Sequence, residues 1–212
     1  MVITYLGGEC FKITQGELTL AFNPPSKDSS LKASKFGADI ALVSMDHEDF
    51  NGVENAAFGE REPFVISGPG EYEVKGVAVR GFASESSYGM EAGKAGGEKT
   101  INTIYSVSLE GMNLCFLGAL GTNDLPTSAK AELDDIDILF LPIGDQGMLD
   151  YDKAYALAVQ LEPKAVIPMH YTPSDLKNFL KEAGKEVAPQ EKLTVKKKDL
   201  EGKEGEIIVL TA

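Results

Sequence analysis

The only histidines of the chain, His47 and His170, are the residues whose type and position best suit metal chemistry. Each follows an apolar run that predicts a buried strand, and each lies at the start of a polar loop. In α/β proteins, loops at the ends of strands carry binding and catalytic groups. An imidazole in such a loop is either a metal ligand or a hydrogen-bonded structural residue. The residue types alone leave both interpretations open.

Other signatures of catalysis are sparse, since the sequence has neither a Gly-x-Ser-x-Gly motif nor a Walker-type loop. Cys10 and Cys115 are too far apart to suggest a cysteine zinc site, and their apolar neighbours predict small buried thiols. Glu71 and Glu73 share one face of a strand, where a surface role is favoured over an acid–base pair. Asp145 lies in a loop and is interpreted as a turn former.

The elements that position these residues are strands in the first half and alternating strands and helices in the second. A polar, glycine-rich segment, Ser84–Lys99, predicts a mobile surface loop. The sequence after it predicts helices over Asp152–Leu161 and Asp175–Ala183, with Ser174 as the cap of the second. The predicted strands are Val2–Leu6, Cys10–Thr14, Leu18–Phe22, Asp39–Ser44, Phe64–Ser67, Glu73–Phe82, Thr103–Leu109, Asn113–Leu117, Ile136–Leu141 and Ala165–Met169, with a closing hairpin of Leu193–Lys197 and Glu206–Leu210.

Length and charge narrow the class of protein. The chain has 212 residues, which suits a single domain over 1–212, and a formal net charge of −13. Nucleic acid is not an expected partner, because phosphate binding needs a Lys/Arg surface and the one basic run, Lys196–Lys198, is followed by acidic residues. No apolar run approaches the ~20 residues of a membrane span, and no secretory signal is recognised. We therefore expect a cytoplasmic protein with no membrane partner.

Several blocks of sequence, in order, resemble the metallo-β-lactamase superfamily, in particular its small branch of Zn-dependent hydrolases similar to ascorbate-6-phosphate lactonase. The segment 39–52 resembles the strand and loop that carry the metal signature, and residues 3–13 resemble the opening hairpin. Further similar blocks end at Tyr171, so the resemblance covers most of the chain. It implies an α/β fold, a four-layer αββα sandwich in which two sheets pack between outer layers of helices.

Members of this family bind two zinc or manganese ions through histidines, a signature aspartate and a bridging aspartate. The resemblance implies seven such ligands, five histidines and two aspartates. Three of them fall on residues that bind metals, His47, Asp49 and His170. The bridging aspartate falls on Ala119, which offers no anion between two ions. The remaining family histidines fall on apolar or weakly coordinating residues, and Phe116 stands at a nearby position that is often histidine; these cleft-lining positions are Met45, Phe50, Ser86, Phe116 and Ala119.

The loss of ligands predicts a protein whose metal centre has decayed. Our main expectation is a catalytically inactive binding or scaffold protein without a cofactor, whose apolar cleft takes a small molecule or a protein segment. The alternative is a metal-dependent hydrolase that uses one Zn, Mn or Fe ion on His47, Asp49 and His170. A homo-oligomer is a further possibility that the Phe and Tyr content fits.

Overall fold

The computed structural model describes residues 1–90, 100–144 and 146–212. Two mixed β-sheets make up most of this structure, and most of their strands coincide with the apolar or alternating runs of the sequence. The strands are β1 Val2–Tyr5, β2 Phe11–Gln15, β3 Leu18–Phe22, β4 Ile40–Leu42, β5 Phe64–Ile66, β6 Gly70–Val74, β7 Val77–Ser86, β8 Thr100–Leu109, β9 Met112–Phe116, β10 Ile138–Pro142, β11 Ala165–Met169, β12 Lys192–Thr194 and β13 Glu206–Ile207.

The first sheet has the order β12-β1-β2-β3-β4-β5, and the second has the order β13-β11-β10-β9-β8-β7-β6. In the first sheet β3, β4 and β5 run parallel to one another. In the second sheet β9, β10, β11 and β13 do so. The parallel strands of each sheet therefore end together, which brings the loops that follow them to one edge.

The helices pack on the outer face of the second sheet, through an apolar layer that includes Leu157 and Phe179. The outer face of the first sheet is covered by a loop and a 3₁₀ helix, Val53–Asn55, through a small cluster around Phe36. The fold is thus an α/β sandwich of two sheets, as predicted, although no described α-helix covers the first sheet. None of the described helices is long and apolar enough to cross a bilayer. They are α1 Thr127–Glu132, α2 Tyr151–Leu161 and α3 Pro173–Glu182.

Four phenylalanine rings fill the core between the two sheets. Phe11 packs edge-on against Phe140 with 4.8 Å between ring centroids, and Phe22 lies at the same separation from Phe116. All four side chains are fully buried. Phe116 therefore belongs to this core, which corrects the expectation that it lines the cleft. Its position at the end of β9 turns its side chain inward, between the sheets.

The segment Glu73–Phe82 forms two strands instead of the single strand predicted. β6 ends at Val74 and β7 begins at Val77, and a two-residue turn of Lys75 and Gly76 joins them. Both turn residues have positive φ, 51° and 77°, as a tight hairpin turn requires. β7 then extends to Ser86, so the first residues of the predicted loop Ser84–Lys99 are strand. Residues 91–99 of that segment lie outside the described residues.

The predicted closing hairpin is wrong. β12 pairs with β1 in the first sheet, whereas β13 pairs with β11 in the second. The basic run between them is therefore not a hairpin turn but part of a 3₁₀ helix, Lys197–Leu200, which crosses from one sheet to the other. Leu200 is buried in the main core and anchors this crossing.

Candidate metal centre

Loops from both sheets meet at one edge of the sandwich and carry the polar residues identified in the sequence. His47 and Asp49 follow β4, and His170 directly follows β11. Tyr88 follows β7, which runs in the same direction as β9 because both strands are antiparallel to β8. Side chains that are far apart in the sequence thus lie close enough to contact one another.

The turn after β4 holds His47 and Asp49 together. The amide of Asp49 donates to Nδ1 of His47 at 3.2 Å, and this nitrogen lies 3.6 Å from the carboxylate oxygen Oδ2. The lone pair of Nδ1 is thus engaged by the Asp49 amide. In metal sites the ring nitrogen that does not bind the ion usually donates a hydrogen bond, whereas Nδ1 of His47 accepts one.

Two hydroxyl groups donate hydrogen bonds to the buried carboxylate of Asp49. The Tyr88 hydroxyl donates to Oδ2 at 2.5 Å, and the Ser29 hydroxyl donates to Oδ1. Burial, the hydrogen bond to Asp49 and the charges of Asp49 and Glu9 raise the pKa of Tyr88 above its ordinary value. The phenol therefore stays protonated and acts as a hydrogen-bond donor throughout the physiological pH range.

The Tyr88 ring packs against both histidines. Its centroid lies 5.0 Å from the ring of His47 and 5.0 Å from the ring of His170, in edge-to-face contacts with both. Phe50 contacts all three of these rings, at 5.0 Å from Tyr88, 5.7 Å from His47 and 5.9 Å from His170. The structure thus brings His47, Asp49 and His170 together around one tyrosine.

An apolar cluster lies beside these polar groups. It contains Met45, Phe50 and Ala119 together with Met148, and Tyr88 packs against it. Three of these residues are cleft-lining positions of the sequence analysis, and all four are buried. Ser86, another such position, is buried and accepts the Tyr88 amide through its hydroxyl at 3.1 Å. Ser86 therefore shapes the turn that carries Tyr88; Asp145, the predicted turn former, lies outside the described residues.

His170 is held rigidly at the start of its loop. Its backbone has a left-handed φ of 51°, and its amide donates to the carbonyl of Gly8 at 2.8 Å. Gly144 packs so closely against this backbone that an added Cβ would lie 1.9 Å from the His170 carbonyl oxygen. A residue that is not glycine adopts a left-handed backbone only where its surroundings enforce it, which often occurs at functional sites.

Glu9, from the turn between β1 and β2, faces this histidine from inside the protein. Nδ1 of His170 lies 3.4 Å from Oε1 of Glu9, and both atoms are buried without a hydrogen-bond partner among the described residues. The other oxygen of Glu9, Oε2, accepts from the side-chain amide of Asn23 at 2.7 Å. That amide also donates to the hydroxyl of Ser44 at 2.8 Å, so Asn23 is fixed in turn.

The side chains at this edge of the sandwich include types that bind single cations, although apolar residues surround them. Imidazole and carboxylate groups are ligands for zinc, manganese and non-haem iron. Across residues 1–90, 100–144 and 146–212, no three His, Cys, Asp or Glu side chains converge closely enough to enclose an ion. Nδ1 of His170 has no hydrogen-bond partner in the described structure, and it faces the buried carboxylate of Glu9 at 3.4 Å.

Comparisons with known proteins agree with this fold. The sequence profile described as the beta-lactamase superfamily domain matches residues 2–170. The chain belongs to the beta-lactamase superfamily. Within it, a UPF0173 metal-dependent hydrolase of Listeria innocua is 26% identical over 207 residues, covering 81% of this chain and 85% of that relative. One of Natranaerobius thermophilus is 24% identical over 204 residues and covers 86% of this chain and 90% of the relative.

A solved structure of the same superfamily extends this similarity to nearly the whole chain. The protein from Thermotoga maritima, named as a Zn-dependent hydrolase of the metallo-β-lactamase superfamily, has a TM-score of 0.74 and 25% sequence identity. The alignment covers 99% of this chain and 97% of that structure. The structural similarity therefore extends over both sheets of this chain and over the helices outside the second sheet.

These names contradict the expectation that the protein works without a cofactor. The relatives are named metal-dependent hydrolases, so the superfamily assignment indicates a metal, and the alternative of one ion agrees with it. The comparisons show no loss of activity, and the expected inactivity of this protein stays a prediction. The expectation of no cofactor was wrong because it counted only the ligands at the positions of the family motif.

Glu9 and Tyr88 were missed as site residues in the sequence. Glu9 directly precedes the apolar run that begins at Cys10, and a glutamate in such a place is a signal of a buried, paired charge. Tyr88 lies in a polar, glycine-rich segment without periodicity, where no sequence signal distinguishes a tyrosine that folds into a cleft from one on the surface.

Proposed function

We propose that this protein is a metal-dependent hydrolase that uses a single divalent ion in the cleft beside Tyr88. The observation that carries the proposal is the Nδ1 atom of His170, which is buried without a hydrogen-bond partner in the described structure and lies 3.4 Å from the buried Glu9 carboxylate. The names of the relatives support the metal and the reaction class. The proposal is for one ion, since Ala119 supplies no carboxylate to bridge two.

The three residues that the alternative hypothesis names have unequal support as ligands. His170 has a ring nitrogen without a hydrogen-bond partner in the described structure, and its backbone is left-handed. Asp49 has a buried carboxylate that faces Tyr88 and becomes available when the Tyr88 hydroxyl leaves it. His47 is the weakest candidate, because its Nδ1 accepts the Asp49 amide. We therefore assign His170 and Asp49 to the ion and His47 to the rim of the cleft.

A bound ion supplies Lewis acidity and a hydroxide nucleophile near neutral pH. The residues of this chain contribute the surroundings that such chemistry needs. Phe50, Met45 and Met148 line the site with apolar groups that exclude water, which strengthens electrostatic interactions inside the cleft. Ser29 donates to Asp49 and keeps its carboxylate oriented while the Tyr88 hydroxyl moves away.

The experiment combines metal analysis with a hydrolysis screen. Protein purified without chelator is analysed for zinc, manganese and iron, and phosphodiester, lactone and thioester substrates are then tested with each metal. We expect about one ion per chain and hydrolysis that a chelator abolishes. His170→Ala should lose both the ion and the activity, and His47→Ala should keep the ion.

A chain that takes up none of these metals, and hydrolyses none of these substrate classes in their presence, contradicts the proposal. That result would favour the inactive binding or scaffold protein of the sequence analysis. Retention of the ion by His170→Ala would contradict the assignment of this histidine, because no other imidazole on that side of Tyr88 is available in the sequence.

A further inference from the structure

A cavity of about 570 Å³ lies on the outer side of the second sheet, away from the candidate metal centre. Val166 of β11 and Ile207 of β13 line it from the sheet, and α2 and α3 line it from the outer layer. Lys164, another lining residue, directly precedes β11, whereas His170 follows the other end of that strand. The two sites are thus separated by the length of β11. Cavities of roughly 300–1,000 Å³ accommodate small organic ligands.

Two aromatic side chains give this cavity a surface that suits an organic cation. Tyr155 of α2 and Phe179 of α3 both line it, and their rings pack edge to face with 6.2 Å between centroids. Phe179 is fully buried, whereas Tyr155 is partly exposed. The face of an aromatic ring attracts a positive charge, and neighbouring alkyl groups bury the apolar part of a ligand.

The charged residues around the cavity include carboxylates that have no partner. Three lysines and two glutamates belong to the lining, namely Lys164, Lys185, Lys203, Glu162 and Glu204. Within the described residues, neither glutamate has a hydrogen-bond or ion-pair partner, and Lys185 has none either. All three of these unpaired residues are exposed at the rim.

The other two lysines contribute little positive charge to the cavity. Nζ of Lys164 lies 2.6 Å from the carboxylate of the buried Asp137 and 2.9 Å from that of Asp135. Nζ of Lys203 lies 2.5 Å from the carboxylate of Glu206. With these three partners included, five carboxylates surround three ammonium groups. The local charge is therefore negative and complements a cation.

The end of α2 adds to this negative field. The helix ends at Leu161, and Glu162 forms its C-cap with a left-handed φ of 49°. Glycine or asparagine is the usual residue in that conformation, and the partial negative charge of the last carbonyls disfavours an acidic side chain there. A positively charged ligand beside Glu162 would compensate both the carboxylate and the helix end.

We propose that this cavity binds an organic ammonium ion that carries an aryl or alkyl body. The ammonium group pairs with the carboxylates of Glu162 and Glu204, and the apolar body packs against Tyr155, Val166 and Ile207. The inference is independent of the proposed hydrolase, since none of these residues belongs to the cleft beside Tyr88.

Isothermal titration at low ionic strength with three probes of similar shape tests the ligand class. They are 2-phenylethylammonium, the neutral 3-phenylpropanol and the anion 3-phenylpropanoate. We expect the ammonium to bind about tenfold or more tightly than the anion, with the alcohol between them, because the ammonium gains two ion pairs that the anion replaces with repulsion.

Charge variants at the rim locate the binding site. Glu162→Gln and Glu204→Gln should each weaken binding of the ammonium by about two- to fivefold, as the loss of an exposed ion pair does. Lys185→Gln should strengthen it by a similar factor, because it removes a like charge. Glu17→Gln is the matched control, since Glu17 is exposed in the turn between β2 and β3 and its loss changes the net charge equally.

A steric variant adds a second measurement. Ala183 lines the cavity and is partly exposed, so Ala183→Leu should fill part of the volume and abolish binding of the ammonium. A cooperative thermal melt shows whether this variant folds. If it does not, the opposite effects of Glu162→Gln and Lys185→Gln decide, because both positions are exposed and tolerate the change.

Three results would overturn the proposal. Binding of 3-phenylpropanoate as tight as that of the ammonium would refute the ligand class. Equal weakening by Glu17→Gln and by the two rim glutamate variants would show attraction to the net charge of the protein alone. Wild-type protein that binds none of the three probes would exclude the site.

Discussion

Replacing Tyr88 by phenylalanine tests whether this side chain competes with a metal ion for the cleft. The ring lies 5.0 Å from each histidine ring, and its hydroxyl donates to Asp49 at 2.5 Å. An ion that takes His170 and Asp49 as ligands displaces this hydroxyl. The hydrogen bond between Tyr88 and Asp49 is thus lost when metal binds, and its free energy is subtracted from the free energy of metal binding.

The size of the effect follows from that bond. A buried hydrogen bond to a charged group contributes ~1.5–3 kcal/mol, and the partial exposure of Tyr88 lowers the contribution of this one to ~1–2 kcal/mol. Since ~1.4 kcal/mol corresponds to a tenfold change in affinity, Tyr88→Phe should bind zinc ~5–30 times more tightly than the wild type. Tyr88→Ala should bind more tightly still, because it also removes the ring that packs between the histidines.

Isothermal titration with zinc measures this change directly. Tyr155→Phe is the control, since Tyr155 lies on α2, packs against Phe179 and is remote from the cleft. A dissociation constant of Tyr88→Phe within twofold of the wild-type value would refute the competition. A weaker affinity would show that the tyrosine orients Asp49 for the metal, which is the opposite role.

Two further predictions concern stability. Tyr105→Phe removes the buried hydroxyl that donates to the Val43 carbonyl at 2.7 Å and so fixes the start of the loop after β4. The substitution should lower the free energy of unfolding in urea by ~1–3 kcal/mol, and a loss under ~0.5 kcal/mol would contradict this role. Burial raises the pKa of Asp39, but the hydrogen bonds from Lys75 and a backbone amide outweigh it and hold the pKa below its ordinary value. A depressed carboxyl pKa stabilises the fold above the unfolded-state pKa, and this stabilisation is lost as the pH falls through the folded-state pKa. The free energy of unfolding of the wild type, measured by chemical denaturation, should therefore fall below pH ~4. That of Asp39→Asn should fall less over the same pH interval.

The sheets were predictable because their strands are short apolar or alternating runs with clear punctuation. The run at 165–169, for example, is apolar throughout and forms β11, buried on both faces. The start of α3 was predicted two residues late, since Thr172 caps it with a capping box and Pro173 occupies the first turn. Proline there is favourable and reads as a helix breaker only in the interior.

The errors arise where long-range pairing overrides local pattern. The last two strands form a plausible hairpin in the sequence, yet β12 completes the first sheet and β13 the second. Each edge offers an unpaired strand, and pairing with β1 or β11 satisfies its backbone groups. No local residue pattern carries that information.

The candidate site was predictable only in part for a similar reason. His47, Asp49 and His170 were identified because family motifs and histidine chemistry mark them, and the fold brings them to one edge. Glu9 lies in a turn that approaches His170 only after β1 and β11 have joined their separate sheets. A residue that reaches the site from across the sandwich has no fixed spacing in the sequence, so a motif search does not find it.

The charges in the cleft favour one ion over two. Glu9 is a buried carboxylate beside His170, and Asp49 is one beside the Tyr88 hydroxyl; together they carry a charge that one dication neutralises. A second dication would leave an excess of two positive charges in an apolar pocket of Met45, Phe50 and Ala119, where low dielectric makes such repulsion large. The same apolar groups that argue against a dinuclear centre therefore strengthen the attraction of the carboxylates for a single ion.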